Sequence, residues 1–150
     1  MMRLKDLGVT LPQVVTPAGN YASFVLSGNM LYISGQLPVD GGALTCKGHL
    51  GKDVTVEQGY AAAKICAINI TAQVSAALEG DLDRVVRCVK LGGFVASTAE
   101  FTDHPKVING ASDFIVAVFG EIGRHARAAV GVAALPLGVA VEVEAVFEVK

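Results

Sequence analysis

Val139-Ala140-Val141-Glu142-Val143-Glu144-Ala145-Val146-Phe147-Glu148-Val149 decides the fold. Val139, Val141 and Val143 fall on one face, and Ala140, Glu142 and Glu144 on the other. A period of two is the signature of a strand, whose successive side chains point to opposite sides. An apolar face backed by a carboxylate face describes a sheet covered on one side only. Just upstream, residues 126–132 (Ala-Arg-Ala-Ala-Val-Gly-Val) read as a second strand.

Working back from these two strands, the period changes to that of a helix. Val107, Ile108, Ala111, Phe114, Ile115, Val118 and Phe119 recur at three- and four-residue spacing, with Thr102 and Asp103 as candidate caps, Pro105 in the first turn and Gly120 as the stop. Asp83 to Ala96 favours a strand, in which Gly92-Gly93 permits a bulge or bend. A longer helix precedes it. Thr55 and Gln58 fit a capping box; Val56, Tyr60, Ala63, Ala67, Ile70, Val74 and Leu78 share one face; and Gly80 ends it. Residues 38–53 read as a loop with a short strand near Ala43-Leu44-Thr45. Residues 22–27 and 30–35 are two strands joined by Gly28-Asn29, a two-residue link that suits a hairpin. The order β-β-α-β-α-β-β predicts an α+β fold, one sheet with both helices on one face.

Composition bounds what such a fold can do. The 150 residues suffice for one domain, with residues 1–19 as an N-terminal extension. Hydrophobic residues make up 52% and charged residues 17%, against roughly a quarter charged in an ordinary soluble domain. The missing charge suggests apolar surface hidden between subunits. Net charge is −2 and no basic stripe occurs, which argues against nucleic acid as a partner. No apolar run reaches the roughly 20 residues of a membrane span, and Met1 to Asp6 has no apolar signal core, so a cytoplasmic location is expected. Cys46, Cys66 and Cys88 show no CxxC spacing, and the last two read as buried, inert thiols. His49 and His104 have no partner spacing for a metal, and none is expected.

Arg127 is the residue that needs explaining. It lies in a strand of small residues, where a guanidinium is expensive to desolvate unless paired. One explanation is a structural ion pair with Glu142 or Glu144 on the neighbouring strand. The other is an anion receptor, because the planar fork of arginine matches a carboxylate. Spacing alone slightly favours the ion pair. His125 reads as a turn histidine or a group at the rim of a cleft, and Glu144 as an interface hydrogen-bond acceptor.

Two motifs shift that balance. Ala126-Arg127-Ala128-Ala129-Val130, with Leu135-Pro136 and Val141-Glu142-Val143-Glu144-Ala145, resembles the C-terminal signature of the Rid/YjgF family, also called the liver perchloric-acid-soluble protein family. Leu31-Tyr32-Ile33-Ser34-Gly35-Gln36-Leu37-Pro38 resembles its N-terminal motif, and the likeness spans roughly residues 20–149. The resemblance implies a chorismate-mutase-like fold and a homotrimer whose sheets form a central barrel, with ligand clefts between subunits. It implies hydrolysis of enamine/imine intermediates such as 2-aminoacrylate to a 2-keto acid and ammonia, without metal or cofactor. Carried over by position, Arg127 would grip the substrate carboxylate and the backbone around Ala129 would help hold it. Glu142 would position the attacking water. Tyr21, Ser34 and Asn109 match binding positions, and Phe94 an aromatic lining position. The chain departs from the family pattern at Gly19-Asn20-Tyr21, where Gly-Pro-Tyr is common. It departs again at Ala128 and Ala129, where Cys or Ser/Thr often follows the arginine, and at Gly131, where Glu is common.

The leading expectation is therefore an imine deaminase acting on small 2-imino acids. The alternatives are a non-catalytic protein that binds or senses a keto acid through the same arginine, an endoribonuclease or translation inhibitor, which the acidic balance disfavours, and a holdase-like role for the apolar surface.

Overall fold

The computed structural model describes residues 2–14, 17 and 19–150. Of the expected N-terminal extension, residues 1, 15, 16 and 18 lie outside the described residues. A short helix, α1 (Met2–Asp6), precedes a hairpin of β1 (Phe24–Ser27) and β2 (Met30–Gln36). Gly28 turns it at φ 63°, the left-handed region a primed turn needs. The 38–53 segment contains a two-stranded ribbon, β3 (Val39–Asp40) and β4 (Ala43–Leu44). Then follow α2 (Val56–Ala77), β5 (Val85–Ala96), α3 (His104–Phe119), β6 (Ala126–Val132) and β7 (Val141–Val149). No helix among the described residues is long and apolar enough to cross a membrane.

The main sheet runs β1-β2-β7-β5-β6. Only β5 and β6 are parallel, and α3 connects them; a parallel pair needs a long crossover of this kind. The last strand, β7, slots into the middle, antiparallel to both β2 and β5. Both long helices cover one face. Leu31, Ile33, Leu91, Val95, Val141, Val143 and Phe147 point from the sheet into the core against Ala63, Ile70 and Val74 of α2 and Ile108, Ala111 and Ile115 of α3. The whole predicted stripe of α3 is buried. The other face carries Val25, Tyr32, Val130, Phe94, Glu142 and Glu144, of which Val25 and Tyr32 are about half exposed.

Local signals match most of the expected boundaries. The Thr55–Gln58 capping box is complete in both directions. At the other end of α2, Glu79 and Gly80 turn left-handed, and the Gly80 amide donates to Ser75 O. Of the two candidate caps for α3, Asp103 takes the position, with Pro105 in the first turn, but makes no side-chain cap bond. No bulge forms at Gly92-Gly93, although the glycines would permit one. The irregularities of β5 lie between Val85 and Arg87 and between Cys88 and Lys90. The two glycines serve close approach instead. Ile108 of α3 fills the space a Cβ would need at Gly93, and the Glu144 side chain fills that at Gly92.

The sequence also gave no hint of how deeply α2 is enclosed. Asn69, Thr71 and Gln73 are all buried. Thr71 returns its hydroxyl hydrogen to Ala67 O at 2.8 Å. Asn69 donates to Leu37 O and Val39 O, both at 3.0 Å, and so ties the end of β2 and the start of β3 to the helix.

Candidate functional site

Arg127 stands on the edge strand β6, opposite Leu91 of β5. Paired residues share a face, and Leu91 is fully buried under the helices, so Arg127 emerges on the helix side. There its Nη1 donates to Asn109 Oδ1 at 2.8 Å and to Ser112 Oγ at 3.1 Å. Asn109 and Ser112 are three residues apart on α3 and therefore neighbours on one face. The Ser112 hydroxyl in turn lies 2.8 Å from His125 Nε2, and His125 Nδ1 lies 2.7 Å from Gly123 O. A carbonyl oxygen only accepts, so Nδ1 carries the proton and Nε2 accepts from Ser112. Burial holds the His125 imidazole below its ordinary pKa; the nearby Arg127 charge adds to this, and the bond to Gly123 O opposes it. Asn109, Ser112, Asp113, Arg124, His125 and Arg127 line one cavity of about 580 Å³.

The ion pair that spacing alone slightly favoured is not formed. Among the described residues the one ion pair is Lys106 with Asp103, and no carboxylate approaches Arg127 within 4.0 Å. The reason is topological: β5 lies between β6 and β7, so Glu142 and Glu144 are not on the strand next to Arg127. They also project from the opposite face of the sheet, where Glu142 pairs with Phe94 and Glu144 with Gly92.

A second group gathers near the other edge. The β2–β7 register breaks between Ile33 and Gln36, which places Ser34 and Gly35 in an irregular segment. Ser34 Oγ donates to Ala22 O at 2.6 Å, and the Ser34 amide donates to Ser23 O at 2.9 Å. Gly35 faces the Glu142 carboxylate directly. Glu142 is half-buried; burial first and the neighbouring Glu144 second raise its pKa above the usual carboxylate range. Tyr21, Ser34, Gly35, Gln36 and Asn69 line a cavity of about 340 Å³.

The residues singled out in the sequence therefore divide into two clusters. Arg127, Asn109 and Ala129 lie at β6 on the helix side, and Ala129 packs against the core. Tyr21, Ser34 and Glu142 lie around β2 and β7. Phe94 stays with Glu142 on the uncovered face. Three strand spacings separate β2 from β6, roughly 14 Å at about 4.8 Å each, more than one arginine side chain spans. His125 belongs to the Arg127 cluster through Ser112. Sequence reading missed Ser112 and Asn69. The i,i+3 relation of Ser112 to Asn109 was a usable signal for the first; nothing local marked the second. Among the described residues no three His, Cys, Asp or Glu side chains form a group that could hold a metal.

Comparison with known proteins adds the evolutionary frame. The family described as "YjgF/chorismate mutase-like, putative endoribonuclease" matches residues 1–148. Protein TCP17 of Trypanosoma cruzi is 55% identical over 150 residues, covering 98% of this chain and 92% of its own. A crystal structure of a protein of unknown function from Agrobacterium tumefaciens is 52% identical with a TM-score of 0.93, over 99% of this chain and 91% of that one. RidA from a Psychrobacter species is 30% identical with a TM-score of 0.64, over 91% of this chain and 94% of that one. The chain thus overlays the Agrobacterium protein far more closely than it overlays RidA.

Proposed function

The chain belongs to the YjgF/chorismate mutase-like (Rid) family, and from that premise we propose that it is an enamine/imine deaminase hydrolysing small 2-imino acids to 2-keto acids and ammonia. The observation that carries this reading is the state of Arg127. Its Nη1 is anchored by two neutral acceptors, no carboxylate of the described residues pairs with it, and Nη2 and Nε make no protein hydrogen bond among those residues. A guanidinium held this way suits an incoming carboxylate. Among the described residues the edge strand β6 pairs with no strand but β5, so backbone near Ala129 is available to assist.

Glu142 supplies the complementary chemistry. In this reading a water held by its carboxylate adds to C2 of the protonated imine while one water proton passes to Glu142, which gives a neutral carbinolamine. Glu142 returns that proton to the nitrogen, the C–N bond breaks to release ammonia, and the hydroxyl proton passes to solvent as the 2-keto acid forms. A carboxylate whose pKa is raised is a better base than an ordinary one, and a positioned base contributes about 100- to 10,000-fold. Fixing both reactants lowers the barrier further. Arg127 and Glu142 project from opposite faces of the sheet, two strands apart, and so cannot close on one small molecule within one chain. The site therefore draws Arg127, Asn109 and Ala129 from one subunit and Tyr21, Ser34 and Glu142 from the next, in a homotrimer. The half-exposed Val25 and Tyr32 on the uncovered sheet face favour such an assembly.

The test couples purified protein to an amino-acid oxidase that releases imino acids, with semicarbazide as competing trap. Faster loss of the imine, abolished in Arg127→Ala, supports the deaminase. Keto-acid binding with no acceleration supports the second reading, a carboxylate-binding protein that uses the same arginine. RNA cleavage that survives repurification and Arg127→Ala would instead favour the nuclease named in the family description, which the net charge of −2 disfavours.

A further inference from the structure

We propose that Ser112 and His125 are positioning residues that lock the Arg127 guanidinium, so that only its Nε–Nη2 edge is offered to a carboxylate. This rests on the reading of Arg127 as a carboxylate receptor and adds how that receptor is aimed.

A guanidinium has five N–H donors. Nη1 spends both of its hydrogens on α3, one on Asn109 Oδ1 and one on Ser112 Oγ. A fork built from Nη1 and Nη2 would need one of those hydrogens back. The fork of Nε and Nη2 is intact, and it faces away from the helix that holds Nη1. The ligand is therefore a planar carboxylate taken edge-on.

Ser112 can hold Nη1 only if its own hydrogen points elsewhere. A hydroxyl has one hydrogen, and turned toward Arg127 it would set donor against donor. His125 prevents this. Its Nδ1–H is committed to Gly123 O, so Nε2 has only a lone pair to offer, and it claims the Ser112 hydrogen at 2.8 Å. Each member of the chain Arg127–Ser112–His125–Gly123 has a single role, and reversing any one of them leaves two donors or two acceptors face to face. His125 thus acts on the ligand through two intermediaries without touching it. The family motifs quoted above include neither Ser112 nor His125.

The test measures pyruvate binding by calorimetry in the full chain and its variants, together with ¹⁵N resonances of the His125 ring. Ser112→Ala removes the acceptor. His125→Asn keeps a donor for Gly123 O and removes the acceptor for Ser112. Each should weaken pyruvate about tenfold, as the loss of one oriented hydrogen bond in the charged network implies. Ser112→Thr, which keeps the hydroxyl, should bind within about twofold of the wild type. The neutral wild-type ring should carry its proton on Nδ1. A proton found on Nε2, wild-type binding by His125→Asn, or failure of Ser112→Thr to restore binding overturns the proposal. If Arg127→Ala abolishes binding while the Ser112 and His125 variants bind normally, the positioning role alone falls. Absence of binding by the wild type, or binding that survives Arg127→Ala, overturns the receptor reading and this one with it.

Discussion

Gly35 and Glu142 are in direct contact: Oε2 of Glu142 occupies the space a side chain at position 35 would need. The glycine of the Ser34-Gly35-Gln36 motif is thus required by the carboxylate opposite it rather than by its own backbone angle. Gly35→Ala should push Glu142 out of place. The carboxylate end of a glutamate can rotate aside, so the cost in stability should be small. The urea midpoint should fall little, and imine turnover should fall much further than stability explains. An alanine variant with unchanged turnover would separate the Glu142 position from the chemistry.

How much of this was legible beforehand depended on how local each signal was. The alternation through Val141–Val149 is written in the chain because one face of β7 is buried and the other is not. The Thr55–Gln58 box is legible because all its partners lie within four residues. The insertion of β7 between β2 and β5 is not local, and no residue in β7 announces its neighbours. The ion pair weighed for Arg127 with Glu142 or Glu144 is ruled out by that strand order and by the opposite faces from which the groups project. Gly92-Gly93 misled differently, since a glycine needed for a bulge and one needed for the approach of Ile108 look alike in sequence. Asn69 and Gln73 are buried because α2 is enclosed on more than one side, which depends on the hairpin and ribbon around it.

The raised pKa of Glu142 gives a signed dependence on pH. Burial and the charge of Glu144 favour its protonated form in the folded protein. The fold therefore binds this proton more tightly than the unfolded chain does, whose carboxyl titrates near 4.5. The associated stability is complete below that value and is lost as pH rises through the higher folded pKa. Glu142→Gln, which is neutral throughout, should have a higher urea midpoint than the wild type at pH 7.5, and the gap should close by pH 4. Wild-type turnover should decline on acidification as the base is protonated. Equal midpoints at both pH values would show that Glu142 is not electrostatically strained.

Gly110 tests the packing that holds the Arg127 cluster. It lies on α3 against the backbone carbonyl of Tyr60 on α2, with no room for a Cβ between them. The neighbouring Tyr60 hydroxyl donates to Asp113 at 2.6 Å across the same helix pair. A backbone carbonyl cannot rotate aside as a side chain can, so Gly110→Ala must separate the helices. A loss of about 1–3 kcal/mol follows, despite the better helix propensity of alanine. Because Asn109 and Ser112 flank this position, pyruvate affinity should fall with stability. Thermal denaturation and calorimetry on the same preparation check both. A stabilised Gly110→Ala protein would mean that the two helices pack less closely than described.

Arg127→Lys separates charge from shape. Lysine keeps a cation on β6 but offers a single ammonium in place of a planar fork. It cannot satisfy Asn109 Oδ1 and Ser112 Oγ and still present two parallel donors to a carboxylate. A charge-assisted hydrogen bond contributes about 1.5–3 kcal/mol, so losing one of the two ligand bonds should weaken keto-acid binding roughly 10- to 150-fold. The remaining charge should keep binding measurable, which Arg127→Ala should not. Raising salt discriminates further. Residual binding to Arg127→Lys should fall steeply with ionic strength, since a point charge at a solvent-accessible site is screened. Wild-type binding should fall less, because its hydrogen-bond geometry does not depend on ionic strength. Equal affinity and equal salt dependence in the two proteins would mean that Arg127 serves only as a charge, and that the chain anchoring its Nη1 has no part in recognition.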